Sequence, residues 1–179
     1  MCPDRWLGIL GALVMAFAGT ASAAEFRDPK TGLAVDPPAG FTARMGEPTM
    51  GDTVEIVVER QAPETSCSIS FEESVANLPF TQEQLNDLAR SKERLDLIRT
   101  AQSALNDILS FDLTTSDGVV GVVLVLKLKM GFIAHLRTYQ AIFEVRRGRA
   151  VVQCSAHQDK FDGFRSDYES IIKGVKFPR

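Results

Sequence analysis

From Val119 to Leu126 the chain reads Val-Val-Gly-Val-Val-Leu-Val-Leu, apolar at every position. A half-exposed strand alternates apolar and polar side chains. An unbroken apolar run of this length, opened by the turn signal Ser116-Asp117-Gly118, is a strand covered on both faces. It marks the centre of a sheet, and any fold containing it must bring apolar cover to both sides. Lys127 and Lys129 then alternate with Leu128 and Met130, so the strand emerges at the surface at its far end. A further strand from about His135 to Arg146 turns at Arg147-Gly148 directly into one from Arg149 to Ala156.

Two amphipathic helices are available as cover. Thr81-Gln82-Glu83-Gln84 is a capping box, in which the Thr81 hydroxyl and the Gln84 amide satisfy free amides of a first helical turn. Beyond it Leu85, Leu88, Ala89, Leu95, Ile98, Leu105 and Leu109 keep roughly helical spacing, with either one helix to about Asp107 or a break between Ser91 and Thr100. Near the end of the chain Phe161, Phe164, Tyr168, Ile171 and Ile172 describe a second helix, with Gly174 as its C-cap. Before the long helix, Asp28-Pro29-Lys30-Thr31-Gly32 turns an opening hairpin, Phe41 to Arg44 is a short strand, and Thr53 to Arg60 alternates as a strand paired with Ser66 to Glu72. The expected class is α+β: an antiparallel β-sheet covered by a long helix and a C-terminal helix, a layered sandwich. Phe26, Phe41, Phe71, Phe80, Phe143, Phe161, Phe164 and Tyr168 fall mostly on inward phases and are expected in its core.

The first residues carry an address. Trp6 to Ala18 is an apolar stretch too short to span a bilayer, and Ala21-Ser22-Ala23 is a cleavage match, so residues 1–23 read as a signal peptide and 24–179 as one domain. Cys2 precedes the apolar stretch, so it is not the acylated first residue of a mature lipoprotein. The expected product is periplasmic or secreted, with no stable membrane anchor after cleavage. A formal net charge of -3, with both signs scattered, excludes the basic stripe that nucleic acid requires and a polybasic membrane patch.

Two cysteines follow the signal, and an oxidising compartment pairs thiols. In Cys67-Ser68-Ile69-Ser70-Phe71 the period of two puts Cys67 inward, and in Ala150-Val151-Val152-Gln153-Cys154 it does the same for Cys154. A structural disulfide between Cys67 and Cys154 is expected; across so long a loop the chain-entropy model gives roughly 4 to 5 kcal/mol.

No residue set announces a reaction. The domain has two histidines, His135 and His157, and lacks G-x-S-x-G, C-x-x-C and a Gly-rich phosphate loop. Cys154-x-x-His157 has metal-ligand spacing, but the strand period puts its two members on opposite faces. No catalytic residue, metal or cofactor is expected. The remaining set is cationic: antiparallel pairing brings Lys127 and Lys129 near Arg137 at one sheet end and clusters Arg146, Arg147 and Arg149 at the opposite turn, where either group can meet an anion or a partner or else serve as a solvated sheet end.

Phe26-Arg27-Asp28-Pro29-Lys30-Thr31-Gly32-Leu33-Ala34-Val35 leading to Pro38-Ala39-Gly40-Phe41, and the ending Tyr168-Glu169-Ser170-Ile171-Ile172-Lys173-Gly174-Val175, resemble the PsbP-like family of small exported α-β-α sandwiches. The hairpin from Phe143 to Val152 is similar to small secreted proteins of Gram-negative bacteria. The resemblance implies an accessory or scaffold module rather than an enzyme, and it carries no functional residue with it. The expectation is an exported, non-enzymatic module that binds another envelope protein; the alternative is a binder of a small apolar or anionic ligand in the cleft between sheet and helix.

Overall fold

A computed structural model describes residues 24–49, 51–60, 65–129 and 135–179. Residues 1–23, expected as a signal peptide, lie outside these residues, as does Met130. Among the described residues ten strands and four α-helices follow in the order β1 (Phe26–Arg27), β2 (Ala34–Val35), β3 (Phe41–Met45), β4 (Val54–Arg60), β5 (Thr65–Glu73), α1 (Gln82–Arg90), α2 (Lys92–Ser103), β6 (Asn106–Ser116), β7 (Val119–Leu128), β8 (Leu136–Val145), β9 (Gly148–His157), α3 (Gln158–Phe161), α4 (Arg165–Gly174) and β10 (Val175–Lys176). Strands β3 to β9 form a seven-stranded sheet in the order β3-β4-β5-β9-β8-β7-β6, in which every pairing is antiparallel. The opening hairpin pairs Phe26 with Val35 and is extended by β10 into a small second sheet.

The all-apolar run is β7, and its two faces meet different helices. Val123 and Val125 belong to the main core with Tyr168, Ile171 and Ile172 of α4. Val122, Leu124 and Leu126 pack with Ile98 and Leu95 of α2. Each face therefore needs its own apolar side chains, which removes the alternation of a half-exposed strand.

The helix from Thr81 is broken at Ser91, the second of the two arrangements its spacing allowed. Ser91 is extended (φ -66, ψ 142); its amide donates to the Leu88 carbonyl and its hydroxyl accepts from the Arg94 amide, so one residue caps both helices. The expected capping box at Thr81 is present in both directions.

Three expectations are corrected. Leu105 and Leu109 do not continue the helix: the chain enters β6 at Asn106, adding a fourth strand to the expected three, and Leu88, Leu105 and Leu109 are exposed. A β-bulge between Ile108 and Ser110 adds a residue that puts Ile108 and Phe111, three apart, on the same α2-facing side. Phe80 is exposed rather than core. Gly174 is the last residue of α4, not its cap, and it is glycine because a Cβ there would stand 2.5 Å from the Asp36 carbonyl oxygen.

Cys67 and Cys154 are directly opposed on β5 and β9, with a Cα separation of 4.0 Å and an S–S bond of 2.04 Å. The expected disulfide is present, fully within the core.

Candidate functional site

The β6–β7 and β8–β9 turns lie at the same end of the sheet. There Asp117 takes the left-handed conformation (φ 47), and its carboxylate accepts from the Phe177 amide and from Arg179, both at 3.2 Å. This ties the chain after β10 to the β6–β7 turn, and the Phe177 ring packs 4.9 Å from that of Phe143. Between this tail, the start of α1 and the β8–β9 turn opens a cleft of about 460 Å³. Its apolar part is Leu78, Val119, Val145 and Phe177; Arg146, Arg147 and Arg179 stand around it with Asp117 and Gln82.

The three arginines of the turn differ in what they meet. Arg147 is ion-paired to Glu73 and donates to the Thr31 carbonyl at 3.2 Å. Arg149 holds Glu144 at 3.0 Å, a carboxylate that Arg94 also engages. Arg146 is exposed and has neither an ion pair nor a hydrogen bond among the described residues. At the opposite sheet end Lys127 faces Arg137 in the strand register, as expected; Lys129 donates to the Ser103 carbonyl at 2.6 Å, and Arg137 lies 3.8 Å from Asp162. The two cationic groups are thus separated by the length of the strands.

Beside the cleft runs an apolar ridge invisible to periodicity. Val75, Leu78 and Phe80 are 78%, 47% and 45% exposed within six residues that form only a short 3-10 turn. A second hollow of about 430 Å³, lined by Val75 and Leu78, shares Leu78 and Arg147 with the first, so these two ridge residues and the cleft form one continuous surface. The sequence signal for it was a cluster of apolar residues outside any helix or strand period; Asp117 was legible only as a turn residue.

Elsewhere, among the described residues, the histidines and the cysteine pair stand apart. His157 sits on the face opposite Cys154, its ring 5.3 Å from that of His135 and its Nδ1 3.2 Å from Asp159, while the Cys154 sulfur is consumed by the disulfide. Among the described residues no group of three or more His, Cys, Asp or Glu is placed to hold a metal ion. Tyr139 lines a smaller hollow with Asp112, Arg165 and Glu169; burial, reinforced by Glu169, pushes its hydroxyl above the ordinary value of 10.0 and keeps it protonated at neutral pH. The arginine cleft can hold an apolar group against its floor and a carboxylate or phosphate at its rim.

No family model matches the chain, and no curated protein matches it in sequence. Its fold, however, is PsbP-like. It is similar to the solution structure of cyanobacterial PsbP from Synechocystis sp. PCC 6803, with a TM-score of 0.56 and 15% identity over 96% of this chain and 98% of that one. It is also similar to a crystal structure from Bacteroides thetaiotaomicron, with a TM-score of 0.51 and 11% identity over 87% of this chain and 48% of that one. A protein of unknown function from Pseudomonas aeruginosa aligns with a TM-score of 0.47 and 12% identity over 87% of this chain and 96% of that one.

Proposed function

We propose that this chain is an extracytoplasmic, non-enzymatic accessory module, a layered sandwich that binds another envelope protein through the arginine cleft and the ridge beside it. The observation that carries the reading is the ridge of Val75, Leu78 and Phe80, three large apolar side chains left in water on a segment continuous with the cleft. Single exposed apolar residues are ordinary, but a contiguous group rimmed by polar side chains is the signature of a protein-binding surface. A signal-like first segment and a disulfide, which persists in oxidising compartments, support the location. Among the described residues no helix is long and apolar enough to cross a membrane.

The test is site-specific. A photo-crosslinking residue replacing Leu78 in the exported protein should yield one discrete protein adduct in the envelope, whereas the same residue replacing Thr42, on the distant edge strand β3, should not. No adduct at position 78, or the same adducts at both, would overturn the reading. The cleft volume favours a second reading, a small apolar or anionic ligand, because about 460 Å³ falls within the range of small-molecule sites. That reading expects thermal stabilisation by such ligands, since whatever binds only the folded form must raise its stability.

A further inference from the structure

The cleft's charge arrangement specifies what the partner presents, an inference that rests on the protein-binding reading above. Asp117 is ion-paired with Arg179 and accepts from the Phe177 amide, and Arg147 is ion-paired with Glu73, which among the described residues leaves the Arg146 guanidinium as the uncompensated charge of the cleft. Lining the cleft with it are Leu78, 47% exposed, and the largely buried Val119, Val145 and Phe177, a floor that a large apolar side chain can cover chiefly at Leu78. We propose that the site recognises a protein segment in which a carboxylate stands next to a large apolar side chain: the carboxylate meets Arg146 and the apolar group covers the floor.

The alternatives are disfavoured by the same arrangement. A cationic segment brings like charges together at the rim. A purely apolar segment strips water from Arg146 without giving it a partner, and an unpaired, desolvated charge is costly. A small free acid satisfies Arg146 and the floor but leaves Val75 and Phe80 in water, since neither lines the cleft. A chain segment covers floor and ridge together.

The test uses the disulfide-intact protein and three end-blocked peptides, Gly-Ser-Leu-Phe-Glu-Gly-Ser and its counterparts with glutamine or lysine in place of glutamate, together with decanoate. Affinity is read by fluorescence anisotropy and location by the NMR methyl signals of Val119 and Val145. The expected order is glutamate over glutamine over lysine, with about tenfold between the ends, and Arg146→Glu should reverse it. Because Arg146 has no partner to lose, that variant should keep its melting temperature. Lys92→Glu, which makes the same charge change on the exposed side of α2, should leave the order as it was. Equal affinities, an order unchanged in Arg146→Glu, methyl shifts away from the cleft, or no peptide binding up to millimolar concentration would each overturn the proposal. Decanoate shifting the cleft methyls while no peptide does also overturns it, in favour of the small-ligand reading. If the adduct at position 78 forms but the peptide order fails, the module stands and the recognition chemistry falls; if no adduct forms, the module itself falls.

Discussion

At the scale of single residues, the most constrained positions lie in turns. Gly148 follows the two arginines of the β8–β9 turn with φ at +151, and a Cβ built there stands 2.0 Å from the Glu72 carbonyl oxygen. Gly148→Ala therefore has to separate β9 from the end of β5 and should cost about 3 kcal/mol or more; a urea midpoint equal to that of the parent would contradict this close approach. Asp28 gives a pH prediction. It is 5% exposed in the β1–β2 turn, where its carboxylate accepts from the Thr31 amide at 2.7 Å and the Thr31 hydroxyl at 2.5 Å. Burial raises its pKa, but these hydrogen bonds and Lys30 outweigh burial, and the net shift is below the ordinary value of 3.8. A lowered folded pKa means the carboxylate's stabilisation is present above 3.8 and is lost as pH falls through the folded value. Asp28→Asn should thus flatten the acid limb of a stability-against-pH curve measured below about pH 4, and an unchanged limb would show that Asp28 does not contribute to it. Of these residue-level facts, the inward cysteines were legible because both sit on period-two strands. The freedom of Arg146 was not, because it depends on Glu73, distant in sequence, having taken Arg147, and on Glu144, five residues away, having taken Arg149 rather than Arg146.

At the scale of elements, the apolar pattern found β7 and the capping box found α1, since both signals are local. The start of β6 was hidden because Leu105 and Leu109, four apart, match a helical spacing although both are exposed in the fold. The break at Ser91 was half visible: serine is a good N-cap, but nothing in the sequence decides between a long helix and two short ones when tertiary packing supplies most of the stability. In the fold the two helices bury different positions, Leu85 and Ala89 on α1 and Ile98 on α2, so the break lets each meet the sheet separately. Ser91→Ala removes the oxygen that accepts the Arg94 amide and should cost about 1 kcal/mol. The outcome to measure is amide exchange at the start of α2, which should quicken in the variant more than exchange in α1 does. A uniform increase across both helices would mean the junction is not a cap but a point in one continuous unit.

At the scale of the whole molecule, the sheet is assembled from two stretches distant in sequence: the meander β3-β4-β5 and the meander β6-β7-β8-β9. Within the large sheet they meet along the β5–β9 pairing, and the disulfide crosses that seam at the opposed pair Cys67 and Cys154. A cross-link closing so long a loop chiefly restricts the unfolded chain, so removing it should cost about 2 to 5 kcal/mol without rearranging the native sheet. The location of the bond predicts where that loss appears first. The second meander keeps the cover of α1, α2 and α4, whereas β3 and β4 are hydrogen-bonded to the rest of the large sheet through β5 and meet α4 through the shared core and the Arg60–Asp167 ion pair. In the Cys67→Ala, Cys154→Ala variant, amide exchange should therefore rise in β3, β4 and β5 under conditions where β7 and β8 remain protected, and the urea midpoint should fall with the fold retained. Exchange rising equally in all seven strands would show that the seam opens only with global unfolding. A midpoint unchanged on removal of the bond would show that the β5–β9 hydrogen bonds and packing already hold the two meanders together.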